Sequence, residues 1–333
     1  MRLLYSLLLF ILSTEILLAQ EDLPLYQDYL SENYYVLHPS MAGYNLTGLR
    51  IGTSLRKQWF NQKNAPATQL VSVEYNPSPK NGLGLLYFND SNGYNALQAV
   101  YLSYSYRIYF NNDFWNTRRS YPTKNDNINE LLFGISVGQI SRNWDRSHID
   151  PANYDPLTGI DVPNFNDYLT FDVGIGYLST KFSIQATVKN LAFSPLKTNP
   201  YLDLNSLYKV RFQRYILGMQ YEFYTLSGWN FEPSILYQYA EQNRQNLLDL
   251  NFKIFRILKN GRLWAGISYR RNDISIPYQV NGESFSQELN VLSPLLGLNL
   301  RKMSFAYFVT TTTGAATLLP RGIHTLHLIF QLF

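Results

Sequence analysis

The sequence predicts an all-β fold: an antiparallel transmembrane outer-membrane β-barrel of about fourteen strands, with an N-terminal non-strand segment in or under its lumen. Three observations carry that expectation. Apolar and polar residues alternate with period 2 almost to the last residue, as in strands with two different faces. Beyond a short apolar leader, no segment supplies the roughly 18 consecutive apolar residues that a membrane helix needs. Any residence in a membrane therefore requires a closed barrel. Finally, the 333 residues include 27 Tyr, 20 Phe and 5 Trp, while only 16% are charged, against roughly 25% in ordinary soluble domains.

Composition narrows the function as well. A mean hydropathy of −0.20 is too polar for a bundle of membrane helices. The absence of cysteine excludes a disulfide framework, a thiolate metal site and a lipid-anchored cysteine at a mature N-terminus. A net charge of +4 is too balanced to suggest nucleic acid.

Residues 1–19, MRLLYSLLLFILSTEILLA, read as a secretory signal cleaved near Ala19 and Gln20. Arg2 precedes the apolar run, and Glu15 within it argues against a retained anchor, since an ionised carboxylate in hydrocarbon is costly. Residues 20–46 do not alternate and contain the HPSMAG turn, so they are expected to cap or enter the lumen. The barrel is then 47–333.

Candidate strands centre on 47–59, 68–77, 81–90, 95–110, 130–143, 168–179, 181–191, 208–225, 229–240, 246–258, 262–273, 284–301, 302–313 and 322–333. Their faces separate cleanly. Val100, Leu102, Tyr104, Tyr106 and Ile108 oppose Ser103, Ser105 and Arg107, while Tyr215, Leu217, Met219, Tyr221 and Phe223 oppose Gly218, Gln220 and Glu222. Phe231, Pro233, Ile235, Tyr237 and Tyr239 oppose Glu232, Ser234 and Gln238, and Leu248, Leu250, Phe252 and Ile254 oppose Asp249, Asn251 and Lys253. A soluble sandwich turns a Lys- and Glu-rich face to water. These polar faces are mostly Ser, Gln, Asn and Gly with isolated charges, which suits a barrel interior. The inward charges Arg107, Glu222, Glu232, Asp249 and Lys253 are expected to pair across the lumen, because unpaired buried charge is costly.

With both termini in the periplasm, the outside loops are 144–167, 191–207, 274–283 and 314–321, and the inside turns 77–81, 178–180, 226–228, 259–261 and the Arg301–Lys302 step. Long outside and short inside is the habit of this class. The 111–128 connection is the exception, a long periplasmic insertion. The last strand presents Leu326, Leu328, Phe330 and Leu332 on one face, one step out of register with the terminal Phe333.

Sites of chemistry are few. GISVG at 134–138 matches the G-x-S-x-G nucleophile pattern around Ser136, but that motif needs a strand-to-helix elbow, and here it continues as an alternating strand. His38, His148, His324 and His327 include no i, i+4 helical pair, and His324 and His327 fall on opposite faces of a strand. The acidic 144–167 loop carries Asp145, Asp150, Asp155, Asp161 and Asp167 without EF-hand spacing. The reading is a solvated loop, no metal, no cofactor and no enzyme.

Several segments, in order, carry a family resemblance. Tyr26–Tyr29 and YYVLHPSMAGYN at 34–45 resemble the opening of the PorP/SprF family of type IX secretion system outer-membrane proteins, with His38 in the usual Asn place. RKQWFNQKNAPATQ at 56–69 resembles its next segment through Arg56, Gln58, Trp59, Ala65, Pro66, Thr68 and Gln69. KNGLGLLYFNDSNG at 80–93 resembles the strand that follows, and SYSYRI at 103–108 and GIHTLHLIF at 322–330 are similar to later strands, less specifically. The resemblance implies a non-enzymatic subunit supporting export or cell-surface attachment of a large secreted adhesin with a C-terminal secretion signal domain. It also implies a link through a periplasmic peptidoglycan-binding protein to other type IX components.

Arg56, Gln58, Trp59, Pro66, Thr68 and Gln69 are the candidate partner-binding residues, since Arg and Trp are frequent interface anchors. The plainer alternative is that they pin the first hairpin. Three rival functions remain at this stage: a channel for hydrophobic or small polar solutes, a barrel hydrolase using Ser136, and a soluble periplasmic sandwich.

Overall fold

A computed structural model of the chain describes residues 33–44, 48–58, 65–93, 95–110, 129–144, 167–195, 213–241, 244–273, 275–280, 283–288, 290–313 and 322–332. The signal region, the 111–128 insertion, residues 145–166 of the acidic loop, Trp59 and Phe333 lie outside the described residues.

The strands are β1 (Gly48–Lys57), β2 (Ala67–Ser78), β3 (Asn81–Asn92), β4 (Asn95–Tyr109), β5 (Asn129–Trp144), β6 (Asp167–Ser179), β7 (Phe182–Pro195) and β8 (Arg214–Tyr221). They continue as β9 (Trp229–Ala240), β10 (Gln245–Leu258), β11 (Gly261–Asn272), β12 (Ser275–Val280), β13 (Glu283–Glu288), β14 (Asn290–Leu300), β15 (Met303–Thr313) and β16 (Ile323–Leu332). All except β12 and β13 form one closed antiparallel barrel, in which each strand pairs with its neighbour in sequence. That makes fourteen wall strands. β1 closes the circle against β16, from Leu49 opposite Leu332 to Lys57 opposite His324. Closure leaves no free edge in the wall, so every ladder donor and acceptor can be met within the sheet, as hydrocarbon demands.

Alternation decides the two faces. Leu102, Ile135, Leu217, Ile235, Leu250, Ile267, Leu296 and Phe330 stand outward and exposed, while Ser103, Gln185, Ser234, Asn251, Ser268 and Asn299 are buried inward. Tyr and Trp join the outer belt at Tyr75, Tyr106, Tyr221 and Trp229, near the ends of their strands. An apolar outer belt with aromatic margins matches a lipid surround.

Two strands differ from the sequence expectation. The run 208–225 holds a shorter strand, β8, of 8 residues. After Tyr221 the ladder gives way to a single bridge from Phe223 to Phe231, and Tyr224 turns inward to donate its hydroxyl to Glu222. The run 284–301 is also divided. Its first part, β13, pairs with β12 as a separate hairpin, from Ser275 opposite Glu288 to Val280 opposite Glu283. The segment 274–283, expected as loop, is therefore half hairpin. Asn281–Gly282 between the two strands is a strong sequence signal for a two-residue hairpin turn.

A bulge between β6 and β7 has a visible cause. The ladder slips between Phe171 and Val173, where Asn190 takes φ 56°. Asp172 holds the displaced backbone, accepting Asn190 N–H at 2.9 Å and Lys189 Nζ at 3.1 Å.

Candidate functional site: a lumenal plug and its wall

Eight-stranded barrels fill with their own side chains, while sixteen to eighteen strands enclose an aqueous channel. Fourteen strands leave a space that side chains alone fill poorly. Residues 33–44 occupy it. Their two 3-10 turns, Tyr34–Val36 and Pro39–Met41, fold the chain tightly, with Pro39 supplying a preset φ at the first position of the second turn. Val36, Leu37, His38, Ser40 and Ala42 are all fully buried.

The plug meets the wall on opposite sides. Tyr35, Val36 and Ala42 pack with Leu70, Leu86, Phe88, Ala99 and Tyr101 of β2 to β4. Leu37 packs with Ile216, Leu236, Phe255, Trp264, Leu295 and Phe308 of β8 to β11, β14 and β15. Met41 fills the space beside Leu132 and Leu178 of β5 and β6. Hydrophobic burial of this kind stabilises by about 25 cal/mol per Å² removed from water.

Glycines on the inward face make room for it. A Cβ at Gly82 would lie 2.0 Å from Ala42 O, and one at Gly84 2.3 Å from Tyr35 Cζ. At Gly134 it would lie 2.1 Å from Ser40 N, and at Gly174 3.1 Å from Pro39 Cδ. At Gly82 and Gly134 a side chain would overlap plug backbone, at Gly84 it would overlap the end of the Tyr35 ring, and at Gly174 the approach to Pro39 would be tight.

Polar groups key the register. Asn33 donates to Ser72 Oγ at 3.1 Å, and the Tyr35 hydroxyl shares a 3.0 Å hydrogen bond with Ser103 Oγ. Ala42 C=O accepts from Ser105 Oγ at 2.7 Å and Arg107 Nη2 at 2.9 Å. Gly43, at φ +63°, donates its N–H to Glu74 Oε2 at 2.8 Å. Glu74 is held in turn by Arg50 through bonds of 2.9 and 2.8 Å. From Gly43 the chain continues to the start of β1, so the plug is tethered at the end of the barrel with short turns.

His38 shares a 2.8 Å hydrogen bond with Thr187 Oγ1 of β7. Burial first, and then the Lys189 cation, lower its pKa from the ordinary 6.5 to about 3. An unseated segment would titrate near the ordinary value, so seating is at full strength above about pH 6.5 and is lost as the pH falls below it. The loss is about tenfold, or about 1.4 kcal/mol, per pH unit. Hydrogen-exchange protection of residues 34–42 should therefore drop roughly thirtyfold between about pH 7.5 and about pH 5. His38→Asn should flatten that dependence. Equal protection at both pH values would disprove the linkage.

The sequence-derived charges sit elsewhere on the wall and pair along it rather than across the lumen. Lys253 meets Glu232 at 2.7 Å on the adjacent strand, and Arg262 of β11 reaches Glu232 at 2.8 Å and Glu222 at 3.5 Å. Asp249 takes two bonds from Arg270 of β11, at 2.5 and 2.7 Å. Arg107 serves the plug instead. Neighbouring strands lie under 5 Å apart, so directly opposed residues meet sooner than residues on facing walls. Ser136 lies in mid-strand on β5, its Oγ 2.6 Å from Ser103 Oγ, in a hydroxyl chain that ends on Tyr35.

The resemblance residues of the first hairpin stand at its outer end. Arg56 and Thr68 are register partners on the inward face, Thr68 donates to Asp90 Oδ1 at 2.5 Å, and Gln69 faces outward, exposed. Gln58 N–H bonds Pro66 O at 3.0 Å, closing the mouth of the hairpin. Sequence reasoning missed Thr187, Arg262, Arg270 and the glycine seat. The signal for the seat was glycine recurring on the inward parity of several strands.

Fold and site together define an outer-membrane β-barrel stoppered by its own N-terminal segment. The family described as "Type IX secretion system membrane protein PorP/SprF" matches residues 18–330, and the chain belongs to that family. No curated protein matches the chain. Among solved structures it is similar to the CymD monoaromatic hydrocarbon channel, at TM-score 0.47 and 11% identity over 90% of this chain and 92% of that one. It is also similar to a TodX deltaS2S3 mutant monoaromatic hydrocarbon channel, at 0.44 and 9% over 89% and 92%. A third similar structure is CdiB from Acinetobacter baumannii, at 0.41 and 9%, where the match spans 86% of this chain but 60% of the other.

Proposed function

We infer that this protein is a non-enzymatic subunit of the type IX secretion machinery that supports secretion and cell-surface anchoring of a large, adhesin-like secreted partner. The observation that carries the reading is the seated plug. A lumen filled at mid-barrel by residues 33–44 supports work done at the rims on protein partners, rather than passage of solutes. The outer end of the β1–β2 hairpin, with Arg56, Gln58, Pro66, Thr68 and Gln69, is the candidate contact on the long-loop side. Trp59 belongs to the same segment by sequence.

A gentle-detergent pull-down from outer membranes, with a tag after Phe333 and mass spectrometry of the retained proteins, tests this. The expected result is one large secreted protein in comparable amount, reduced by Arg56→Ala with Gln69→Ala. Recovery of periplasmic peptidoglycan-binding and motor components alone would mark a translocon part instead. A barrel without companions would count against both.

A further inference from the structure

Among the described residues, the exposed charge on the short-turn rim has one sign. Lys80 lies in the β2–β3 turn, Lys181 in the β6–β7 turn, Lys259 in the β10–β11 turn, and Arg301 with Lys302 in the β14–β15 turn; all five are exposed. Among the described residues, none of these five side chains has a hydrogen bond or an acidic partner. Among the described residues the acids near that rim are turned inward: Glu74 pairs with Arg50, Glu222 pairs with Arg262, and Glu130 is buried. At the other rim the described residues mix signs, with Lys57, Arg244 and Arg271 beside Glu241 and Asp273.

The five charges are distributed round the circumference: in the closed order two strands separate each basic turn from the next, except that the β10–β11 and β14–β15 turns are neighbours, since β11 pairs with β14. They also sit at the margin of the apolar belt, next to exposed Leu83, Leu258, Leu263 and Met303. On the adjacent rung Arg256 lies over the Trp229 ring, 5.7 Å from its centroid, the pairing of basic and aromatic residues that marks a membrane interface. A protein docking from one side would be met by a patch. A ring at the lipid boundary is met by the lipid that surrounds the barrel.

We propose that Lys80, Lys181, Lys259, Arg301 and Lys302 form a basic collar that selects anionic phospholipid headgroups in the leaflet facing the short turns. Lysines and arginines held near an anionic surface each contribute about fivefold in affinity, and the attraction is screened within about 10 Å at 0.1 M salt.

The test uses the purified mature barrel in mixed micelles of phosphatidylglycerol and phosphatidylcholine with identical acyl chains, and native mass spectrometry to count retained lipids. The expected result is a fivefold or greater enrichment of phosphatidylglycerol that shrinks with added salt. It should fall towards parity in the variant Lys80→Gln, Lys181→Gln, Lys259→Gln, Arg301→Gln, Lys302→Gln. Heat-modifiable migration on gels checks that this variant is folded, and Arg301→Gln with Lys302→Gln alone provides a milder second variant with a partial loss. Equal retention of both lipids by the native chain would overturn the proposal, as would a preference that survives in both variants. A soluble acidic protein that binds the native chain but not the variants, without lipid selectivity, would assign the collar to a protein partner and also overturn it.

Discussion

Gly134→Val should unseat the plug and open the lumen while leaving the barrel wall intact. The new Cβ would stand 2.1 Å from Ser40 N and 2.3 Å from Pro39 C. Both are backbone atoms, so no side-chain rotation relieves the clash. Overpacking in a tight site costs about 1–3 kcal/mol, and here the tethered plug yields more easily than a hydrogen-bonded strand. The β5 backbone has no reason to object, because valine suits a strand. Gly176→Ala is the matched control. It faces the same seat, but its Cβ would be 3.5 Å from Gln185 Cγ and 3.6 Å from Ser40 Oγ, ordinary contact distances. Planar-bilayer recordings should show steady conductance steps for Gly134→Val and silence for Gly176→Ala and the native chain. A silent Gly134→Val whose residues 33–44 still resist protease would refute the seat. Conductance from the native chain would instead favour a solute channel.

Period 2 made the wall legible, because the same alternation that puts Leu250 in lipid puts Asp249 in the lumen. It could not say which inward residues meet. That depends on register between strands, and Arg262 and Arg270 reach Glu232 and Asp249 only once β11 is laid beside β10. The plug announced itself as a segment that fails to alternate, and HPSMAG as its turn. Its docking site was spread over Gly82, Gly84, Gly134 and Gly174 on β3, β5 and β6. Those positions are far apart in sequence, and each alone reads as a small residue in a strand. The β12–β13 hairpin was hidden for a different reason. Its strands are 6 residues each and stand outside the barrel order, so a count tuned to membrane-crossing lengths merged one with its neighbour and read the other as loop.

The largest loss of stability is expected from Glu232→Gln. Glu232 is buried on β9 and takes Lys253 at 2.7 Å and Arg262 at 2.8 Å, both of which are themselves buried. Removing the shared carboxylate leaves two cations on a dehydrated wall, with Glu222 only 3.5 Å from Arg262 and bound also by Tyr224. Breaking a buried pair from one side costs about 3–5 kcal/mol, and the two cations would now repel each other. Lys253 is further committed by the Trp264 ring, 5.2 Å from its ammonium, so it has little freedom to swing to water. Adding Lys253→Met should return part of the loss, because one orphaned charge is gone and an unbranched apolar chain of similar length fills its place. The coupling between the two substitutions should then exceed about 1 kcal/mol, well above the additive limit for independent sites. Urea unfolding in detergent, followed by tryptophan fluorescence, would measure it. If Glu232→Gln shifts stability by less than about 1 kcal/mol, the pair behaves like a surface ion pair, and the lumen beneath the plug is wet rather than sealed.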